Sequence, residues 1–326
     1  MNEDSTLYPE LTNVNKRRGI SGSTLKLIAI ITMIIDHTGA TIVQKMLMIN
    51  ADNGLLFGLY IVMRSIGRIS FPIFCFLLVE GYLHTRNVRK YAVRLAIFAI
   101  ISDIPFDLAL HNTPFNFGYQ NVYFTLLIGL LTLIGFRTLK EKAEEKNWLP
   151  VTAVLGAVAL GGYIAYKTNE LIYFNPILST VGSSVGVPTR SVMIFTAIIF
   201  SIIALIVYAD ICKTQSLQQA SLCFTDLLVL VVGMLLADML RTDYSGFGVL
   251  TMAVIYGLRM SNFKGMLGAC ITLTIMNFSE ITCFVALIPT FFYNGKRGLN
   301  LKYLFYSFYP AHLFIFYLIC YALRLT

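Results

Sequence analysis

The side chains able to do chemistry in this sequence sit mostly inside apolar runs. The first such run is Leu25 to Ala40, LKLIAIITMIIDHTGA, which carries Lys26 near one end and Asp36 and His37 near the other. A titratable group in a membrane helix is costly to insert, so such groups usually face the bundle interior and serve ions, protons or substrates. Lys26 and His37 stand eleven positions apart, about three turns, which puts them on nearly one face roughly 16 Å apart. Arg64 and Arg68, four apart on the next long run, also share a face. A buried guanidinium needs an anionic or carbonyl partner, supplied either by a ligand or by an acidic helix. SDIPFD places Asp103 and Asp107 on one face, with Pro105 between them freeing a backbone carbonyl. In LRTDYSGFG, Asp243 and Tyr244 cap the outer end of a helix. Near the C-terminus, Lys302, Tyr306, Tyr309 and His312 follow steps of four, three and three, a single helical stripe. That stripe ends on a mid-membrane His beside Pro310, which is expected to break the helix. Lys296 and Arg297 just before it suit phosphates arriving from the cytoplasm, although loop charge bias explains them as well. Asp226, Asp238 and Glu280 fall at or near run ends and read as interfacial.

The elements that must position these groups follow from composition. With 57% hydrophobic residues, 13% charged and mean hydropathy +0.72 over 326 residues, the chain reads as all-α, a polytopic transmembrane helical bundle. The net charge of +8 does not imply nucleic acid, because basic residues cluster between apolar runs. The six cysteines show neither CxxC nor metal-type spacing, so no metal site is expected. The runs predict spans at about 24–43, 55–84 (interrupted by Gly67 and Pro72), 91–110, 121–138, 148–166, 191–210, 222–240, 247–259, 263–279, 281–293 and 301–323. That is about 10–11 spans in one domain, 24–323, behind a tail at 1–23. The stretch 167–190, rich in Gly, Ser and Pro, reads as an outer loop or re-entrant segment, and RTLKEKAEEK at 137–146 as a solvated loop. Basic residues recur in alternate loops when Lys16, Arg17 and Arg18 are placed inside, so the N-terminus is expected in the cytoplasm and His37 towards the outer side.

Four blocks carry a family resemblance: GRISFPIFCFLLVEGYLHTRNVRKYAVRLAIFAIISDIPFD, NVYFTLLIG, DYSGFGVL and FFYNGKRGLNLKYLFYSFYPAHL. Together they resemble the TraX family, whose founding activity is acetylation of a pilin N-terminus in a conjugation system. The Lys26 to His37 spacing also resembles the first-helix motif of membrane O-acyltransferases. These resemblances imply an acetyltransferase in the inner membrane of a bacterium, in contact with membrane lipid and using cytoplasmic acetyl-CoA. The acceptor would be a protein or glycan of the cell envelope. On that reading Lys26, Lys296, Arg297 and Lys302 lie near the donor's phosphates. His37 acts as base, oriented by Asp36 or Asp103, and Arg68, Tyr309 or His312 meets the oxyanion. Arg64, Asp107, Asp243 and Tyr244 would contact the acceptor. Two other classes stay open: a proton-coupled transporter, which broken helices suit, and a structural component of a conjugation or pilus assembly.

Overall fold

The computed structural model describes residues 19–142, 148–174, 189–299 and 302–325, with the side chains of 171–174, 189 and 302–305 left aside. The described residues are overwhelmingly helical, and their only strand-like pairings are two isolated bridges. Six helical stretches among them are long and apolar enough to cross a membrane: Gly22–Ile49, Gly54–His84, Val122–Lys142, Leu149–Glu170, Arg190–Thr214 and Leu217–Met239. Ser245–Gly257 and Phe278–Phe291 are apolar but shorter. The chain is thus an all-α, multi-pass membrane protein. It divides into two compact units: one takes residues up to Leu130 and from Arg241 onward, the other Leu131 to Leu240.

The first unit begins with α1 (Gly22–Thr38), whose orphan N-terminal groups are satisfied twice over. Ser21 caps the helix by accepting from the Thr24 N–H, and the loop before the last helix pairs with it. Gly22 N donates to Lys296 O at 2.8 Å and Ser23 N to Arg297 O at 3.0 Å. Gly298 holds φ +72, and a Cβ there would strike the hydroxyls of Ser21 and Ser23, so glycine is required by both conformation and space. Immediately after His37 and Thr38 the helix widens into a π-helical turn, Gly39–Val43, before α2 (Gln44–Ile49) completes it. Such turns recur at functional sites because they re-aim the side chains around them.

The long run at 55–84 breaks as expected. Helix α3 (Gly54–Gly67) ends, Arg68 and Ile69 turn, and α4 (Ser70–His84) starts. Pro72 is the third residue of α4, where a missing N–H breaks no intrahelical bond. Helix α5 (Val88–His111) continues through Pro105, and α6 starts at Val122 and runs to Lys142. In the second half of the unit, α10 (Ser245–Gly257) and α11 (Asn262–Met276) pack together. The expected span at 281–293 is irregular instead: a 3₁₀ stretch, Phe278–Ala286, followed by a short α12 (Leu287–Phe291). Helix α13 (Lys302–Ala322) then closes the unit against α5.

Pro310 does not break α13, contrary to the expectation from sequence. A proline in a helix removes its bond to the carbonyl four residues back, here that of Tyr306. The Tyr123 hydroxyl donates to that carbonyl at 3.2 Å, so the vacated acceptor is satisfied and the helix continues.

The second unit holds the end of α6 with α7 (Leu149–Phe174), α8 (Thr189–Thr214) and α9 (Leu217–Met239). Residues 175–188 of the expected outer segment lie outside the described residues, while α7 itself extends beyond the expected 166. Small residues let these helices approach closely, the usual device where lipid removes a hydrophobic drive between helices. Ala153, Ala157, Ala204 and Phe224 form one of its buried clusters. A Cβ on Gly156 would strike the Phe224 carbonyl, which is backbone and cannot turn aside. Gly156→Val is therefore expected to cost about 1–3 kcal/mol, read as a lower melting temperature of the detergent-solubilised protein. Asp238 is not interfacial: its side chain is 3% exposed and pairs with Lys167 at 3.2 Å. It also accepts from the Tyr163 hydroxyl at 3.0 Å.

Candidate functional site

His37 of α1 meets His312 and Tyr309 of α13. Its Nδ1 lies 2.7 Å from His312 Nε2, and the two rings are parallel within 2°. His312 Nδ1 lies 2.8 Å from the carbonyl of Phe308, one turn back on α13. A carbonyl only accepts, so His312 Nδ1 must carry the proton that it donates. In the neutral ring His312 Nε2 is then an acceptor, and His37 Nδ1–H donates to it. The chain of bonds ends by leaving the lone pair of neutral His37 on Nε2. One backbone carbonyl thus fixes the tautomers of two rings and leaves a proton acceptor at the end. The rings of Tyr309 and His37 meet in a T-shape, centroids 5.9 Å apart, and Tyr309 is 4% exposed. Its hydroxyl meets the backbone N–H of Val122 at the start of α6, which leaves the phenol O–H as a donor.

Asp36 and Asp103, the carboxylates expected to orient His37, are engaged elsewhere. Asp36 forms an ion pair with Arg64 at 2.6 Å. Asp103 accepts from Asn121 Nδ2 at 3.0 Å, and the same amide group bonds the Ala99 carbonyl. The imidazole's orienting partner is a second imidazole. The physical reason lies in α13 staying helical through Pro310, which brings His312 onto the face that meets α1.

Both arginines of α3 and its turn find acidic partners within the protein. Arg68 pairs with Glu280 at 2.9 Å and also reaches the Tyr244 hydroxyl. Glu280 is 3% exposed, so it is a buried partner and not an interfacial residue. Its 3₁₀ stretch is held by Thr282, which donates to the Ser65 carbonyl at 2.7 Å, and by Asn277 capping Ser279. The buried thiols of Cys270 and Cys283 each face the other's carbonyl, at 3.3 and 3.6 Å, and tie the same stretch to α11. One oxygen each of Asp36 and Glu280 is buried without a hydrogen bond in the described structure.

Gly67 explains how Asp36 fits at this crossing. A Cβ at position 67 would overlap the Asp36 carboxylate itself. Gly67→Ala is expected to drive Asp36 off Arg64 and destabilise the protein by about 1–3 kcal/mol. The check is a melting curve, together with loss of the Asp36–Arg64 coupling in a double-mutant cycle.

At the other acidic positions the geometry is local. Asp243 accepts from Tyr119 at 2.9 Å, and Thr125 donates to its backbone carbonyl. Burial and that carboxylate push the Tyr119 phenol up, so it remains the donor. Tyr244 and Ser245 both hold positive φ, 64° and 46°, and the Tyr244 ring stacks on Phe71 at 3.6 Å. Two adjacent residues in this strained region mark a turn over-determined by its surroundings. Asp107 sits apart, 1% exposed, accepting from the Asn116 N–H at 2.6 Å and so closing the loop between α5 and α6.

A cavity of about 680 Å³ lies in the same unit, with Lys26, Arg297 and Tyr306 in its wall. Tyr123 also lines it, and packs edge-on against Tyr309 at 5.0 Å. One ring therefore separates the cavity from the site around His37. Lys296 is exposed and is not part of that lining, and the Lys302 side chain lies outside the described residues. Sequence reasoning missed His312 as the partner of His37, Glu280, Asn121, and Arg86 and Arg94 in the cavity. Asn121 before the α6 run was the most readable of these, as an N-cap residue.

The fold and the site define a multi-pass helical membrane protein that holds a hydrogen-bonded imidazole pair and two arginine–carboxylate pairs in its first unit. The family model described as "TraX protein" matches residues 21–178 and 189–320, and the chain belongs to that family. It is also similar to the probable fimbrial assembly protein FimC, serogroup H1, of Dichelobacter nodosus, 37% identical over 118 residues. That match covers 34% of this chain and 44% of the relative, so it spans less than half the length of either. No solved structure matches.

Proposed function

We propose that this protein is an acetyltransferase of the bacterial inner membrane. It moves an acetyl group from cytoplasmic acetyl-CoA to an amine or hydroxyl of an envelope protein or glycan. The observation that carries this reading is the tautomer chain Phe308 O, His312, His37, which leaves an acceptor nitrogen on a ring that packs against the Tyr309 phenol ring. That pair of groups is what acyl transfer requires: one to accept a proton from the nucleophile and one to meet the charge on the thioester oxygen.

In the proposed reaction the acceptor's nitrogen or oxygen attacks the thioester carbonyl carbon while His37 Nε2 takes its proton. The carbonyl oxygen gathers negative charge and receives a hydrogen bond from Tyr309. The C–S bond then breaks, the coenzyme A thiolate leaves, and the proton on His37 returns to it. His312 holds the first ring in place and shares the charge of the imidazolium through its Nε2. With Arg64 and Arg68 already paired to Asp36 and Glu280, these residues shape the site, and Tyr309 is the better oxyanion donor. The family's link to pilin acetylation and the fimbrial name of the relative agree with an envelope acceptor.

The experiment is mass spectrometry of envelope proteins and glycans from cells with and without the chain. A species heavier by one acetyl group, present only with the chain, is expected. Its absence, with transport of a solute by reconstituted protein, would establish the transporter reading instead.

A further inference from the structure

The cavity beside the His37 site carries more positive charge than an acetyl group or a pantetheine arm needs. Lys26 and Arg297 share its wall with Arg86 and Arg94, against one carboxylate among the described residues, that of Glu80. Glu80 is itself engaged, accepting from the Tyr293 hydroxyl at 3.2 Å. Arg94 hydrogen-bonds Tyr306, yet its Nε is buried with no partner in the described structure. Arg86 lies just before α5, whose first turn is capped by Asn87, so the positive end of a 24-residue helix adds to the field there. Arginine, with its planar fork of donors, matches phosphate oxygens two at a time.

We propose that this cavity is a diphosphate-recognition site, in which Arg86 and Arg94 bind the nucleotide phosphates of coenzyme A. The acyl arm then passes Tyr123 towards Tyr309 and His37. Lys26 and His37, roughly 16 Å apart along α1, mark the two ends of that path. The volume lies within the range of sites that enclose one ligand of this size. The site rests on the acetyl-transfer reading for its ligand, but not for its chemistry. An anionic lipid headgroup offers the same phosphate chemistry, and the experiment separates the two.

The test is calorimetric titration of the full-length protein in detergent with coenzyme A, with pantetheine, and with dihexanoyl phosphatidylglycerol. Coenzyme A is expected to bind, pantetheine to bind at least tenfold more weakly, and the lipid not to displace coenzyme A. Arg86→Gln, at an exposed position where folding is not at stake, is expected to weaken coenzyme A binding about tenfold. Arg94→Gln is expected to weaken it further, with Arg94→Lys recovering part of the loss, while Lys213→Gln in the other unit changes nothing. Absent binding, affinity unchanged from the wild type in both arginine variants, pantetheine binding as tightly as coenzyme A, or displacement by the lipid would each overturn the site. Acetylation that persists without arginine-dependent binding removes this site and leaves the acetyltransferase. Arginine-dependent binding without any acetylated product does the reverse.

Discussion

His37→Gln is expected to lower acetyl transfer about a thousandfold while leaving the protein folded. Glutamine is close to histidine in size and its amide can still donate to His312 Nε2, so the packing of α1 on α13 survives. What it cannot do is take a proton. His312→Leu removes the acceptor that fixes the His37 tautomer but leaves the base itself. A smaller loss, roughly ten- to a hundredfold, is expected there. The two rates are read from the acetylated envelope species formed per unit of folded protein, with melting temperature as the control. Equal and total loss in both variants, with lowered melting temperatures, would show that the pair is structural.

The second large effect concerns stability. Removing one member of a buried ion pair costs about 3–5 kcal/mol, because the other charge is left uncompensated. Glu280→Ala leaves Arg68 in that position, and since the Arg68 side chain is 17% exposed and also reaches Tyr244, a loss near the lower end is expected. Replacing both, Arg68→Met with Glu280→Leu, removes both buried charges and is expected to recover most of that stability. Thermal unfolding of the wild type, Arg68→Met, Glu280→Leu and the double variant in one detergent gives the coupling directly. A double variant as unstable as Glu280→Ala would mean that Arg68 is held by something other than Glu280.

Much of this arrangement was legible in the sequence, and what was not has identifiable causes. Membrane class followed from hydropathy, and the break at Gly67 to Pro72 from two residues that interrupt helices. The polar positions of α1, α3 and α13 stood out because ionisable groups are rare in apolar runs. Their pairing was not legible. Asp36 beside His37 in sequence points about 100° away from it around the helix, so adjacency suggested a partnership that helical geometry denies. Glu280 looked interfacial because it lies at the end of an apolar run. The 3₁₀ stretch that carries it inwards has no strong sequence signal. Pro310 suggested a break because the compensating Tyr123 hydroxyl is more than 180 residues away in the chain. Arg86 and Arg94 were absorbed into a basic loop and a helix start, where charge bias alone accounts for them.

The central claim is that acetyl groups cross from a cytoplasmic thioester to an envelope acceptor through the site built on His37. Inverted membrane vesicles supplied with acetyl-labelled coenzyme A test it most directly. Label is expected in an envelope protein or glycan in vesicles containing the protein, and none above background in vesicles containing His37→Gln. Equal labelling by the two proteins would contradict the claim.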